Sequence, residues 1–280
     1  MKILPPAAFG CFLLLTLLVA SAAPLQVQPS PDTVSTQTNE LIATVVAAQL
    51  EGLREAIAAD VAVELQRSNI TASYTVVWRV YEDAAIAALE KVLPRHIPEL
   101  GIQNFYSGKR GKEKNRLADF AIICGTNIIE ISIKAARASA NPENDMGTFR
   151  DHSRRSQLFA ASFTLWVRYD DSMPEIRCDR VFFDRTWRMV GKSMLVDGVK
   201  YRKKDGNMRP KSWTMFESGA AFWETEGEFE AAVERAAVFR ANEVVSERLA
   251  DLSENDQRAL YGRLKQKFSI EIPEKFSKEP

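Results

Sequence analysis

The run Ile128-Ile129-Glu130-Ile131-Ser132-Ile133-Lys134 constrains the fold of this chain more than any other segment. Strand side chains alternate between faces, so Ile129, Ile131 and Ile133 point one way and Glu130, Ser132 and Lys134 the other. The stretch before it, Arg116-Leu117-Ala118-Asp119-Phe120-Ala121-Ile122-Ile123, also reads as a strand. Cys124-Gly125-Thr126-Asn127 between them has turn composition. A turn centred on Gly125-Thr126 puts residue 123 opposite 128, and therefore 119 opposite 132. Asp119 and Ser132 are then expected as cross-strand neighbours, roughly 5 Å apart at Cβ, with Lys134 one step further along the same face.

Around this hairpin the chain alternates helical and extended patterns. Residues 40–67 are rich in alanine and leucine, with no proline and one glycine, and read as one long helix. Residues 75–93 read as a second, with Glu82 and Asp83 in its first half and Pro94 and Pro98 to end it. A short strand is expected at 102–106 and a loop at 135–147. Residues 149–167 carry helical stripes, although Phe163-Thr164-Leu165-Trp166-Val167 is also compatible with a strand. A further strand is expected at 176–184 and a turn at Asp205-Gly206-Asn207. Thr225-Glu226-Gly227-Glu228 is a capping box opening a helix to about residue 249, and Ser253 opens another to 268. The expected class is α/β, with an αβββαβ core, a mixed sheet and extra N- and C-terminal helices.

An acid beside a lysine on adjacent strands is a way to hold a divalent metal against a phosphodiester. Hard cations such as Mg²⁺ take carboxylate and water oxygens, a metal-bound water is a usable nucleophile at neutral pH, and a nearby lysine stabilises charge in the transition state. In its layout the chain resembles the PD-(D/E)xK nuclease superfamily, which includes many type II restriction endonucleases. Ala118-Asp119-Phe120 stands where that family has its first acid, and Ser132-Ile133-Lys134 where it has acid-x-lysine. Ala118 replaces the usual proline, which is not a ligand. Ser132 replaces the second acid, so the missing carboxylate has to come from elsewhere: Glu82 or Glu130, with Glu143 or Asp145 behind them. The resemblance implies a restriction-endonuclease-like core, Mg²⁺ as cofactor, and Asp119, Glu82 or Glu130 and the backbone carbonyl of Ile133 as metal ligands. It implies Lys134 as the group that positions the attacking water, and a 5′-phosphate product. Ser132 is not read as a nucleophile, because no histidine is placed to activate it.

The 280 residues carry 46% hydrophobic and 26% charged side chains, the composition of a globular chain. Formal net charge is zero, so no global field announces a nucleic-acid partner. Basic residues nevertheless cluster at 109–116, 150–155 and 200–211. Arg150, Arg154 and Arg155, and Arg202, Lys203, Lys204, Asn207 and Arg209, are expected to contact double-stranded DNA, lysine holding phosphate while arginine and asparagine read base edges. A homodimer would suit a palindromic site. His96 and His152 are too few and too far apart for a zinc site, and Cys124 and Cys178 read as small, partly buried residues. The tryptophans read as core.

Residues 1–23 read as a secretory signal peptide, with Lys2, an apolar run and small residues at Ala20-Ser21-Ala22-Ala23. Residues 24–38 read as a disordered linker, 39–270 as one nuclease-like domain and 271–280 as a tail. The apolar run is short for a span of about 20 residues, so no stable membrane partner is expected once the segment is removed. Export conflicts with a restriction enzyme, which meets DNA in the cytoplasm, unless the true start lies downstream near Val34 or Leu41. An exported nuclease of low specificity, and a non-catalytic nucleic-acid-binding protein on a decayed nuclease fold, are the two rival expectations.

Overall fold

The computed structural model describes residues 31–67, 77–96, 102–107, 119–124, 127–170, 177–194, 198–250 and 252–268. The segment read as a signal peptide and the basic run at 109–116 lie outside them. Three helices come first: α1 (Pro31–Ala48), α2 (Leu50–Arg67) and α3 (Val77–His96). Residues 31–38, expected as the end of a linker, form the first turns of α1. The single helix expected over 40–67 is two, broken at Gln49, whose N–H reaches back only to Val46 O at 3.0 Å. α3 runs past Pro94, a position in its last turn, and ends at His96.

The sheet has five strands in the order β1-β2-β3-β4-β5: β1 (Ile102–Ser107), β2 (Phe120–Cys124), β3 (Asn127–Arg137), β4 (Ala161–Asp170) and β5 (Arg177–Arg185). β1, β2 and β3 are antiparallel neighbours. β4 runs parallel to β3, and the connection between them carries α4 (Phe149–Leu158), as a parallel pair requires. β5 returns antiparallel to β4. The protein is therefore α/β with a mixed sheet, and from α3 to β4 the elements run helix, three strands, helix, strand.

The helix expected over 149–167 is corrected. It stops at Leu158, and residues 161–170 form a central strand. Phe163, Leu165 and Val167 lie fully buried on one face while Thr164 and Trp166 lie buried on the other, so a strand covered on both sides imitates a helix's continuous apolar run. α4 starts at Phe149, where it is expected, and Thr148 and Asp151 make a reciprocal capping box there.

Each face has its own core. Ile129, Ile131 and Ile133 pack with Phe163 and Leu165 against α1, α2 and α3 through Ile42, Leu53, Tyr81 and Leu89. The opposite face packs Trp166 and Phe182 against Met208, Trp213, Trp223 and Phe229. These come from the chain after β5: α5 (Thr186–Met189), the short pair β6 (Lys192–Ser193) and β7 (Gly198–Val199), α6 (Trp213–Glu217), α7 (Glu226–Ala250) and α8 (Glu254–Phe268). Trp166, Trp213 and Trp223 are buried, as expected of core residues. Cys178 is a buried free thiol whose pKa is pushed up to about 12 by burial. His152 is packed edge-on against Phe229, and burial lowers its pKa, so it serves the core. Among the described residues, no helix is long and apolar enough to cross a membrane.

Candidate active site at the edge of the third strand

The hairpin forms in the expected register. Ile123 pairs with Ile128 and Phe120 with Ile131, which sets Asp119 against Ser132. One oxygen of Asp119, Oδ2, accepts three hydrogen bonds: from Ile133 N at 2.8 Å, Ser132 Oγ at 3.2 Å and Lys134 Nζ at 3.4 Å. Asp119 and Lys134 are partly buried, with 30% and 20% of their side chains exposed. The pair is thus shielded from bulk water yet open to a ligand, a setting in which charges act more strongly than at the surface.

The backbone of Ile133 belongs to the same arrangement. Residue 133 pairs with Leu165 on the β4 side, whereas the described pairing with β2 ends at Ile131. Its N–H donates to Asp119, and the N–H and C=O of one extended residue point to the same side of a strand. The Ile133 carbonyl therefore also faces the edge occupied by Asp119.

A cleft of about 1040 Å³ opens at this end of β3. Lys134 lines it together with Glu82 and Trp78 of α3, and with Glu143, Asp145, Arg202 and Arg209 from the later loops. Glu82, 4% exposed, is thus brought to the same cleft as Lys134 from a helix more than fifty residues away in sequence. Glu143 is exposed at the cleft wall, and Asp145 lies between two arginines.

Glu130 is committed elsewhere. It shares the face of Ser132 and Lys134, but it is fully buried beneath α4. Its Oε1 accepts from Arg155 Nε at 2.9 Å and its Oε2 from Ser162 Oγ at 2.6 Å. Ser162 continues to Thr186 at 3.0 Å and Thr186 to Thr164 at 2.9 Å. Burial pushes the Glu130 carboxyl above the usual carboxylate range, opposed by the Arg155 charge and reinforced by nearby Asp119. With both oxygens engaged by protein donors, Glu130 is a structural acid, whereas Glu82 lines the cleft beside Lys134. Arg155 is corrected in the same way. Rather than reaching DNA, it is buried, with Nη1 donating to Met146 O at 2.9 Å. Arg150 and Arg154, four apart and so on one helix face, are exposed. Arg155 is one position further round, on the sheet side.

Gly147 holds the loop beside this ion pair at φ +99°, and an added Cβ would fall 2.3 Å from Arg155 Nη1. Gly147→Ala is expected to lower the melting temperature by several degrees, read by calorimetry, because it adds left-handed strain and a clash with a fixed guanidinium.

The basic segment after β7 is a two-legged turn. Arg202 N donates to Asn207 O at 2.8 Å and Arg209 N to Lys200 O at 2.8 Å, around Gly206 at φ +70°. Asn207 closes this turn, its N–H donating to Asp205 Oδ1 at 3.2 Å. Lys203 pairs with Glu243 at 2.8 Å, and Lys204 is exposed. The sequence separates these residues from Lys134, but Arg202 and Arg209 share its cleft.

The chain matches no family model and no curated protein. Among the described residues, no three histidine, cysteine or acidic side chains gather closely enough to hold a metal by themselves. Oxygen groups are supplied at the strand edge by the Asp119 carboxylate and the Ile133 carbonyl, and in the cleft lined by Lys134 by the Glu82 carboxylate. These are hard ligands of the kind Mg²⁺ takes when water completes its shell.

Proposed function

We propose that the protein is a Mg²⁺-dependent DNA endonuclease with a restriction-endonuclease-like core, hydrolysing phosphodiester bonds in double-stranded DNA. The observation that carries the reading is the convergence on Asp119 Oδ2 of Ile133 N, Ser132 Oγ and Lys134 Nζ, with Lys134 itself lining a cleft together with Glu82. The order α3-β1-β2-β3-α4-β4, with β4 parallel to β3, supports the same fold.

Asp119, Glu82 and the Ile133 carbonyl would hold the cation. When bound, it supplies Lewis acidity, which lowers the pKa of water and offsets charge on the phosphate. Asp119 is oriented for this by two donors on its own hairpin, Ile133 N and Ser132 Oγ, so little reorganisation is left for the reaction itself. Lys134, with three donor hydrogens, releases Asp119 in part to orient the attacking water and to meet the charge growing on the non-bridging oxygens. The exposed Arg150 and Arg154 on α4, and Lys204 on the turn after β7, would hold backbone phosphates. A two-fold dimer would present two such clefts to a palindrome.

Ser132→Ala is expected to lower cleavage only about threefold to tenfold, since the Ile133 and Lys134 donors remain on Asp119. A loss as deep as that of Asp119→Ala would instead make Ser132 part of the chemistry. Supercoiled plasmid with Mg²⁺ is the test of the proposal: nicked and linear forms are expected, and they should vanish with EDTA.

A second reading is favoured by Ser132 itself, which stands where an acid would complete the ligand set. A non-catalytic DNA-binding protein would retain binding and cut nothing with Mg²⁺ or Mn²⁺. An exported nuclease of low specificity is distinguished from a restriction enzyme by loss of residues 1–23 in the mature protein and by cleavage at many unrelated sequences.

A further inference from the structure

Asp145 stands in the cleft in an unusual way. Its Oδ1 is 2.9 Å from Arg209 Nη1 and its Oδ2 is 3.0 Å from Arg202 Nη2, so two guanidinium groups grip the two oxygens of one carboxylate. All three parts are held by backbone bonds. Met146 N donates to Met208 O at 3.1 Å and Met208 N to Gly147 O at 2.9 Å, which fastens the Asp145 loop to the turn carrying both arginines. Asn144 Nδ2 donates to Ala135 O at 2.9 Å, which fastens that loop to β3 directly after Lys134. The clamp is therefore built onto the strand that carries the candidate catalytic lysine.

Guanidinium forks bind carboxylate and phosphate with the same paired geometry. The Asp145 side chain is 42% exposed and meets both arginines directly in the wall of the cleft. The Arg202 side chain is 40% exposed whereas that of Arg209 is 15% exposed, so water screens the carboxylate and lets another anion exchange for it while Arg209 stays held. Arg202 has a second anchor in Asp205, which leaves its guanidinium in place when Asp145 lets go.

We propose that Arg202 and Arg209 form a clamp for one backbone phosphodiester of the nucleic-acid strand, and that Asp145 is a built-in stand-in occupying it until the strand arrives. The proposal rests on the nucleic-acid reading above and adds to it a named phosphate subsite and a residue that competes for it. The competition lowers affinity for a strand whose phosphate enters the clamp, because that phosphate has to displace Asp145, and leaves a strand that does not reach the clamp unaffected.

The test is the binding of a labelled DNA duplex in EDTA, followed by fluorescence anisotropy against salt concentration. Asp145→Asn keeps the shape and removes the competing charge. It is expected to tighten binding about threefold to tenfold. Arg209→Gln is expected to weaken binding and to make the salt dependence shallower by about one phosphate's worth. At matched ionic strength, inorganic phosphate should weaken duplex binding more than chloride does, because it competes for the same guanidinium pair; a gain in phosphate affinity by Asp145→Asn with no gain in duplex affinity would make a free anion the ligand and overturn the assignment to a strand. Unchanged or weaker binding by Asp145→Asn overturns the clamp. So does loss of Mg²⁺-dependent cleavage with unchanged affinity, which would make Asp145 a metal ligand, and so does undetectable DNA binding by both proteins. The same Asp145→Asn gain in an Asp119→Ala background separates the two ideas: the clamp then stands whether or not the wild type cuts DNA.

Discussion

Asp119→Ala is expected to reduce Mg²⁺-dependent plasmid cleavage by at least about a thousandfold, with DNA binding in EDTA kept within a few-fold. The size follows from what converges on that carboxylate. Asp119 is the acceptor for Ile133 N, Ser132 Oγ and Lys134 Nζ at once, so its loss removes the proposed metal ligand and the Lys134 contact together. Lys134→Ala is expected to cost roughly a hundredfold to a thousandfold in kcat with a smaller change in KM, because its contribution grows as charge develops. Glu82→Gln should lower activity and raise the Mg²⁺ concentration needed for half-maximal rate. That shift is absent if Glu82 is merely a buried helix residue. Single-turnover cleavage across a Mg²⁺ titration separates these effects.

Arg155→Ala is expected to be the most destabilising of the single substitutions considered. It leaves the Glu130 carboxylate, fully buried, with only the Ser162 hydroxyl as a described donor. Breaking a buried ion pair from one side costs about 3–5 kcal/mol, which corresponds to a fall of roughly 6–20 °C in melting temperature for a chain of this size. Removing both charges, in Glu130→Gln with Arg155→Met, should recover much of the loss, because the penalty belongs to the orphaned charge rather than to the missing pair. The pH dependence has a definite sign. Burial already holds Glu130 above the ordinary carboxylate range, and loss of Arg155 removes the main opposing influence. The folded variant therefore binds a proton more tightly than the unfolded chain does. Its deficit should shrink as pH falls toward the ordinary carboxylate range and grow as pH rises through the folded pKa. Thermal unfolding of wild type and variant over that pH range measures it, and a deficit independent of pH would mean that Glu130 is not the cause.

The parts of this molecule differ in how far they could be read from sequence. The hairpin was legible because turn composition at residues 124–127 fixes the pairing, and period-two alternation then assigns each side chain to a face. The contact between Asp119 and Lys134 follows from those two facts alone. The change from α4 to β4 was obscured because β4 is covered on both faces and loses its alternation, so its aromatic run extends the helical stripe of residues 149–158. Glu130 and Arg155 could not be paired in advance. They meet only because the connection from β3 to β4 lays α4 over the polar face of β3, and that parallel pairing was hidden in the misread segment. Arg202 and Arg209 were singled out as basic residues, but their grip on Asp145 depends on a bridge between loops some sixty residues apart. Charge patterning supplies the residues and not their partners.

The most direct test of the account is where a divalent cation binds. Anomalous scattering from crystals soaked in Mn²⁺ is expected to give a peak in contact with the Asp119 carboxylate, with Glu82 turned toward it and Lys134 still within reach. A peak elsewhere, or none at Asp119 while Lys134 remains hydrogen-bonded to it, would contradict a metal-dependent nuclease centre and leave the hairpin acid and lysine as a structural ion pair.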